Sequence, residues 1–77
     1  MKGLDKVATG NNIKRLMRKA GKDTFDVMMG LHLTSASTIY SWTQGKFVPN
    51  AESLVKLAQI LNCTVDDILV MEEEIND

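Results

Sequence analysis

Residues 34–49, TSASTIYSWTQGKFVP, decide how the rest of this chain is read. They describe a short helix with a cap at each end and two unlike faces. Thr34 or Ser35 can accept a bond from a free backbone N–H at the start. Gly45 supplies a left-handed residue that stops the helix, and Pro49 follows in the loop. At roughly 100° per residue, Ala36, Ile39, Trp42 and Thr43 fall on one side, and Ser37, Tyr40, Ser41 and Gln44 on the other. A helix this short is marginal alone, so its apolar side must pack against something. Its other side is uncharged and rich in hydroxyl and amide groups. Such a face suits contact with polar edges, as bases present them, and equally suits plain solvation.

Working towards the N-terminus, Ile13, Leu16, Met17 and Ala20 repeat at helical spacing and predict a first helix over about residues 11–20. Thr9 or Asn11 can cap its start, and Gly21 ends it. Lys14, Arg15, Arg18 and Lys19 lie opposite the apolar stripe, as a solvated face or as a surface for phosphates. Asp23 is a candidate cap for a second helix, TFDVMMGL, with Asp26 at its third position. Val27 and Leu31 would be buried, whereas Phe25, Met28 and Met29 leave apolar surface over. His32 sits where the chain must turn, and histidine tolerates positive φ.

Towards the C-terminus, Asn50 caps a fourth helix whose core stripe is Ala51, Leu54, Leu57, Ala58 and Leu61, widened by Val55 and Ile60. Asn62 takes the left-handed stop. Thr64-Val-Asp-Asp is a capping box with Asp67 in place of Glu. It opens a fifth helix with Val65, Ile68 and Leu69 inward, which the tail MEEEIND extends towards Ile75. No segment alternates like a strand for more than a few residues. Five short helices joined by tight turns make an all-α fold.

Size and charge narrow the classes. The 77 residues make one domain that buries roughly 60–65% of its unfolded surface. No apolar run is long enough to span a membrane, and the first residues lack the apolar core of a signal peptide. A single cysteine forms no internal disulfide, which favours the cytoplasm or an equivalent reducing compartment. The net charge of −1 hides an asymmetry: residues 1–50 carry eight Lys or Arg against three acids, and residues 51–77 one Lys against seven acids. One face can therefore meet an anion while the other turns away.

Taken together, these segments resemble the helix-turn-helix domain of phage-repressor-like regulators of the Cro/C1 or Xre type. NIKRLMRKAG is similar to that family's first helix and closing glycine. IYSWTQGKFVP is similar to the end of its recognition helix, and SLVKLAQILNCTVDDIL to its fourth and fifth helices. The resemblance spans roughly residues 10–70. It implies a compact five-helix, lambda-repressor-like domain, flanked by an arm at residues 1–9 and an acidic helix extension or tail at 71–77. The implied activity is sequence-specific binding of double-stranded DNA by a transcriptional regulator, a repressor, acting as a homodimer.

By the same resemblance, the third helix would enter the major groove with its N-terminal residues on base edges. Ser35, Ser37, Thr38, Tyr40 and Ser41 would meet bases, and Lys14, Thr24, Gln44 and Lys46 the DNA backbone. The chain departs from the family's pattern at four places. His32 replaces a usual glycine, the turn after Leu33 is one residue longer, Met28 replaces a small residue, and Met17 and Thr43 replace a common Arg–Glu pair.

Nothing in the sequence supports an enzyme, a metal or a cofactor. His32 and Cys63 are single and far apart, and Cys63 is expected to be a buried, unreactive thiol. The alternative function is a helix-turn-helix module, of antitoxin type for example, that binds protein and holds DNA weakly. The acidic tail and the apolar residues Phe25, Met28, Met29 and Phe47 speak for it.

Overall fold

The computed structural model describes residues 2–73. Five helices follow one another: α1 (Lys6–Ala20), α2 (Thr24–Gly30), α3 (Ser37–Thr43), α4 (Ala51–Leu61) and α5 (Val65–Ile68). Their apolar stripes close on one core, in which Ile13, Val27, Ile39, Leu57 and Ile68 are fully buried beside Leu16, Met17, Leu31, Trp42, Leu54, Ala58 and Leu61. The all-α architecture anticipated from the helical spacing is the one observed.

Most helix ends are set by local chemistry. Asp23 and Asp26 form a reciprocal box at the start of α2: the Asp26 N–H donates to Asp23 Oδ1 at 2.8 Å and the Asp23 N–H to Asp26 Oδ2 at 3.0 Å. Thr64 and Asp67 do the same at α5. Asn50 Oδ1 accepts from Ser53 N–H at 2.9 Å and opens α4. His32, Gly45 and Asn62 all take positive φ, as their places in the sequence required. His32 closes α2, and its neighbour's N–H reaches back from Leu33 to the Met28 carbonyl at 3.0 Å. This is the two-bond stop in which a left-handed residue turns the chain off the helix axis.

Four boundaries and burials differ from the sequence expectation. First, α1 begins at Lys6, not Asn11, and its cap is Asp5, whose side chain accepts from Ala8 N–H. Neither Thr9 nor Asn11 caps it, and residues 6–9 of the expected arm are helix. Thr9 and Gly10 are buried there. A Cβ on Gly10 would meet the carbonyls of Trp42 and Thr43, so the bare glycine lets α1 lie directly against the end of α3.

Second, α5 is a single turn, not the start of a longer helix. To continue, the carbonyls of Asp67 and Ile68 would have to accept the N–H groups of residues 71 and 72. Asn12 Nδ2 donates to both, at 2.5 and 3.0 Å. The chain instead runs extended, and Leu4 and Met71 form an antiparallel bridge. The Asp5 N–H bonds the Val70 carbonyl at 2.8 Å, and the Glu72 N–H bonds the Gly3 carbonyl at 2.9 Å. Ile75 lies outside the described residues.

Third, Ala51 and Val55 are exposed, because the buried stripe of α4 narrows to Leu54, Leu57, Ala58 and Leu61. Fourth, Cys63 is half-buried at the edge of the core rather than enclosed.

Candidate nucleic-acid interface

The end of α3 is built by backbone geometry. Gly45 adopts φ 78°, a conformation that costs a side-chain-bearing residue about 1 kcal/mol or more. It lets the Gly45 N–H reach the Trp42 carbonyl at 3.1 Å and the Lys46 N–H reach the Ser41 carbonyl at 2.9 Å. At the other end the first residue before the helix is Ala36, which has no capping side chain. Ser35 supplies the acceptor that was expected there: its Oγ takes the Ser37 N–H at 3.1 Å.

With both ends held, Ile39 and Trp42 are buried and Ala36 and Thr43 half-buried. Ser37, Thr38, Tyr40 and Gln44 are exposed on the outer side, Tyr40 at 49% of its surface. Ser41 is half-buried, and its hydroxyl donates to the Thr38 carbonyl at 2.5 Å. Its proton is thereby committed, so Ser41 offers outward only acceptor lone pairs. Ser35 and Ser37 share one hydrogen bond between their hydroxyls at 3.0 Å.

Beside this face runs a groove of about 520 Å³ between α1, the start of α2 and α3. Lys14, Thr24, Tyr40 and Gln44, four of the residues singled out from the sequence, line it together. Ser35, Ser37, Thr38 and Ser41 do not line it, nor does Lys46, which is exposed on the loop after α3. Arg18, read from the sequence only as part of the basic stripe of the first helix, and Lys22 also line the groove. A signal for Arg18 was present, since it follows Lys14 by one helical turn. Lys22 lies beyond the helix and had none.

Met17 and Thr43, the uncharged residues at which the sequence departs from the Arg–Glu pair that the resemblance implied, stand on the wall of the same groove. Among the described residues the one ion pair is Glu52–Lys56 on the outer face of α4. Lys14, Arg18 and Lys22 therefore keep their charge unneutralised by any described carboxylate within 4.0 Å, although Asp23 lines the same groove.

Two titrating groups lie on the far side of α1. Burial, then the Asp67 carboxylate, pushes the Cys63 thiol above its ordinary value of 9.0, and Lys19 pulls the other way. The backbone N–H of Thr64, then its hydroxyl, holds Asp67 below its ordinary 3.8. Among the described residues no cluster of three or more His, Cys, Asp or Glu is arranged to hold a metal ion, and no helix is long and apolar enough to cross a membrane.

No curated protein and no solved structure matches the chain. A family model does: the Cro/C1-type HTH DNA-binding domain, over residues 12–74. The first turns of α1 and the bridge residue Leu4 precede the matched span. With five helices closed on one core and a match over most of its length, the chain belongs to the Cro/C1-type helix-turn-helix DNA-binding domains.

Proposed function

We propose that this chain is a sequence-specific regulator of transcription, a repressor, that lays α3 in the major groove of double-stranded DNA and acts as a homodimer. The observation that carries the reading is the groove beside α3. It gathers Lys14, Arg18 and Lys22 next to an uncharged polar helix face. Cations held along one border of a neutral, hydrogen-bonding surface suit a duplex, whose phosphates flank the base edges. Thr24 at the first turn of α2, Gln44 and Lys46 add backbone contacts. Ser35, Ser37, Thr38, Tyr40 and Ser41 are assigned to the bases. α3 carries no Arg or Lys, so it lacks the two-pronged guanine contact. Specificity then rests on hydroxyl contacts, bridging water, thymine methyls and duplex shape.

Fluorescence anisotropy with random and genomic duplexes at about 50 and 200 mM salt tests it, because phosphate contacts release counterions and make affinity salt-sensitive. Failure to bind any duplex at the lower salt sinks the DNA reading. A second reading, a helix-turn-helix surface used for protein, draws on Phe25 and Met29. These lie one turn apart on α2 and are 61% and 55% exposed. It predicts salt-insensitive association with a protein and little affinity for DNA.

A further inference from the structure

A second concavity opens on another side of α1. It is a cavity of about 410 Å³ between the ends of α1 and α4 and the short α5. A volume in that range suits a small molecule. Its floor is apolar: Leu16 and Leu61 are buried there, and Ala20, Ile60 and Cys63 half-buried. Its rim carries three exposed cations, Arg15, Lys19 and Lys22.

These charges do not cancel. Asp67 is the one carboxylate in the lining, and its Oδ2 accepts the Thr64 N–H at 2.9 Å. Among the described residues, no carboxylate lies within 4.0 Å of Arg15, Lys19 or Lys22. The C-terminal ends of α1 and α4 also meet the cavity, at Ala20 and Leu61, and each counts as about half a unit of negative charge. Three cations against one carboxylate and two helix ends leave the cavity about one unit positive.

Arg15 is also held in place. Its Nε and Nη2 donate to Asn12 Oδ1 at 3.0 and 2.7 Å. Asn12 Nδ2 in turn donates to the Asp67 and Ile68 carbonyls. This uses one side of the guanidinium and leaves the fork between Nη1 and Nη2, whose two parallel N–H groups match a carboxylate.

We propose that this cavity binds a small organic monoanion, a carboxylate on a compact apolar body. The carboxylate meets Arg15 and Lys19, and the apolar body covers Ala20, Ile60 and Cys63. Lys22 ties the site to the groove beside α3. Its N–H is fixed to the Met17 carbonyl at 2.9 Å, just past the left-handed Gly21, and the residue lines both concavities. An anion that draws the Lys22 ammonium to the cavity takes it from the groove. Anion and duplex then weaken each other's binding by the same factor. Only this coupling rests on the DNA reading; the site itself does not.

Titration of the unmodified chain with 2-naphthoate tests the site, followed by amide NMR and by iodoacetamide alkylation of Cys63. Naphthoate should bind with a Kd of about 1 mM or tighter. It should shift the amides of Ala20, Ile60 and Cys63 and slow the alkylation several-fold. 2-Naphthamide has the shape without the charge, and acetate the charge without the apolar body. Each should bind roughly ten-fold more weakly, since one complementary interaction is lost. Lys19→Gln should weaken naphthoate several-fold. Lys6→Gln, an exposed lysine outside the cavity, should not.

No binding in the millimolar range overturns the proposal, as do equal binding of naphthoate and naphthamide, shifts centred on Tyr40 and Gln44, or equal losses in the two variants. At matched ionic strength, saturating naphthoate should also lower duplex affinity several-fold in the unmodified chain but not in Lys22→Gln. Unchanged duplex affinity of the occupied chain overturns the coupling. A chain that binds naphthoate but no duplex overturns the DNA reading and leaves the site standing.

Discussion

Replacing Gly10 by alanine sets two effects of opposite sign against each other. Position 10 is inside α1, where alanine is favoured over glycine by about 1 kcal/mol. Against that, the new Cβ would stand 3.0 Å from the Thr43 carbonyl oxygen, 3.2 Å from its carbonyl carbon, and closer still to the Trp42 carbonyl oxygen. All three are backbone atoms at the end of α3, and the Trp42 oxygen is held by the Gly45 N–H at 3.1 Å. They cannot swing aside as a side chain can, so α1 and α3 must separate. Overpacking of this sort costs roughly 1–3 kcal/mol. With backbone on the receiving side the upper part of that range applies, leaving a net loss of about 1–2 kcal/mol.

For a domain of this length each kcal/mol moves the midpoint by about 4–8 °C. Thermal unfolding of Gly10→Ala followed by far-ultraviolet circular dichroism should therefore show a fall of roughly 4–16 °C. Gly30→Ala is the control. There the added carbon meets only the Ile60 side chain, with its terminal Cδ1 at 2.7 Å. That tip can rotate away, so the helix preference should prevail and the midpoint should hold or rise slightly. A Gly10→Ala midpoint at or above that of the unmodified chain would refute the close approach of α1 to α3.

Other expectations follow from the same contacts. Lys14→Ala or Arg18→Ala should weaken binding to cognate and random duplex about equally and flatten the salt dependence. Ser37→Ala should instead cost about 1–3 kcal/mol on a selected site with little loss on random DNA; an unchanged sequence preference would remove Ser37 from the base-reading set. Asn12→Ala leaves the Asp67 and Ile68 carbonyls without their donor and should lower stability by about 1–2 kcal/mol in urea titration. Asp67, held below 3.8 by Thr64, contributes stability that is fully present above that pH and lost as the pH falls through the lowered value. In Thr64→Ala the Asp67 carboxyl should titrate closer to 3.8 by NMR, and the acid limb of unfolding should move to higher pH. With its thiol raised by burial, Cys63 should react with iodoacetamide more slowly in the folded chain than in the unfolded one.

Much of the molecule was legible because its signals are local. The stops at His32, Gly45 and Asn62 and the boxes Asp23–Asp26 and Thr64–Asp67 are completed within a few residues, so residue type and spacing announce them. The buried stripes of α3 and α4 follow from helical periodicity alone, apart from Ala51 and Val55 at the stripe's margin. The polar outer face of α3 was readable in the same way.

What tertiary structure decided involves partners far apart in sequence. The first turns of α1 carry no apolar stripe, and their burial depends on Val70 meeting Thr9 and the end of α3 meeting Gly10. Nothing in the sequence after Leu69 tells that Met71 and Glu72 run extended rather than helical until Asn12, more than fifty residues away, occupies the carbonyls that a longer α5 would need. The groove that joins Lys14, Arg18 and Lys22 to Tyr40 and Gln44 is likewise created by the packing of α1 on α3. Periodicity assigns a residue to a face of its own helix. Only the packing of one helix on another determines which faces meet, and so which charges share a groove.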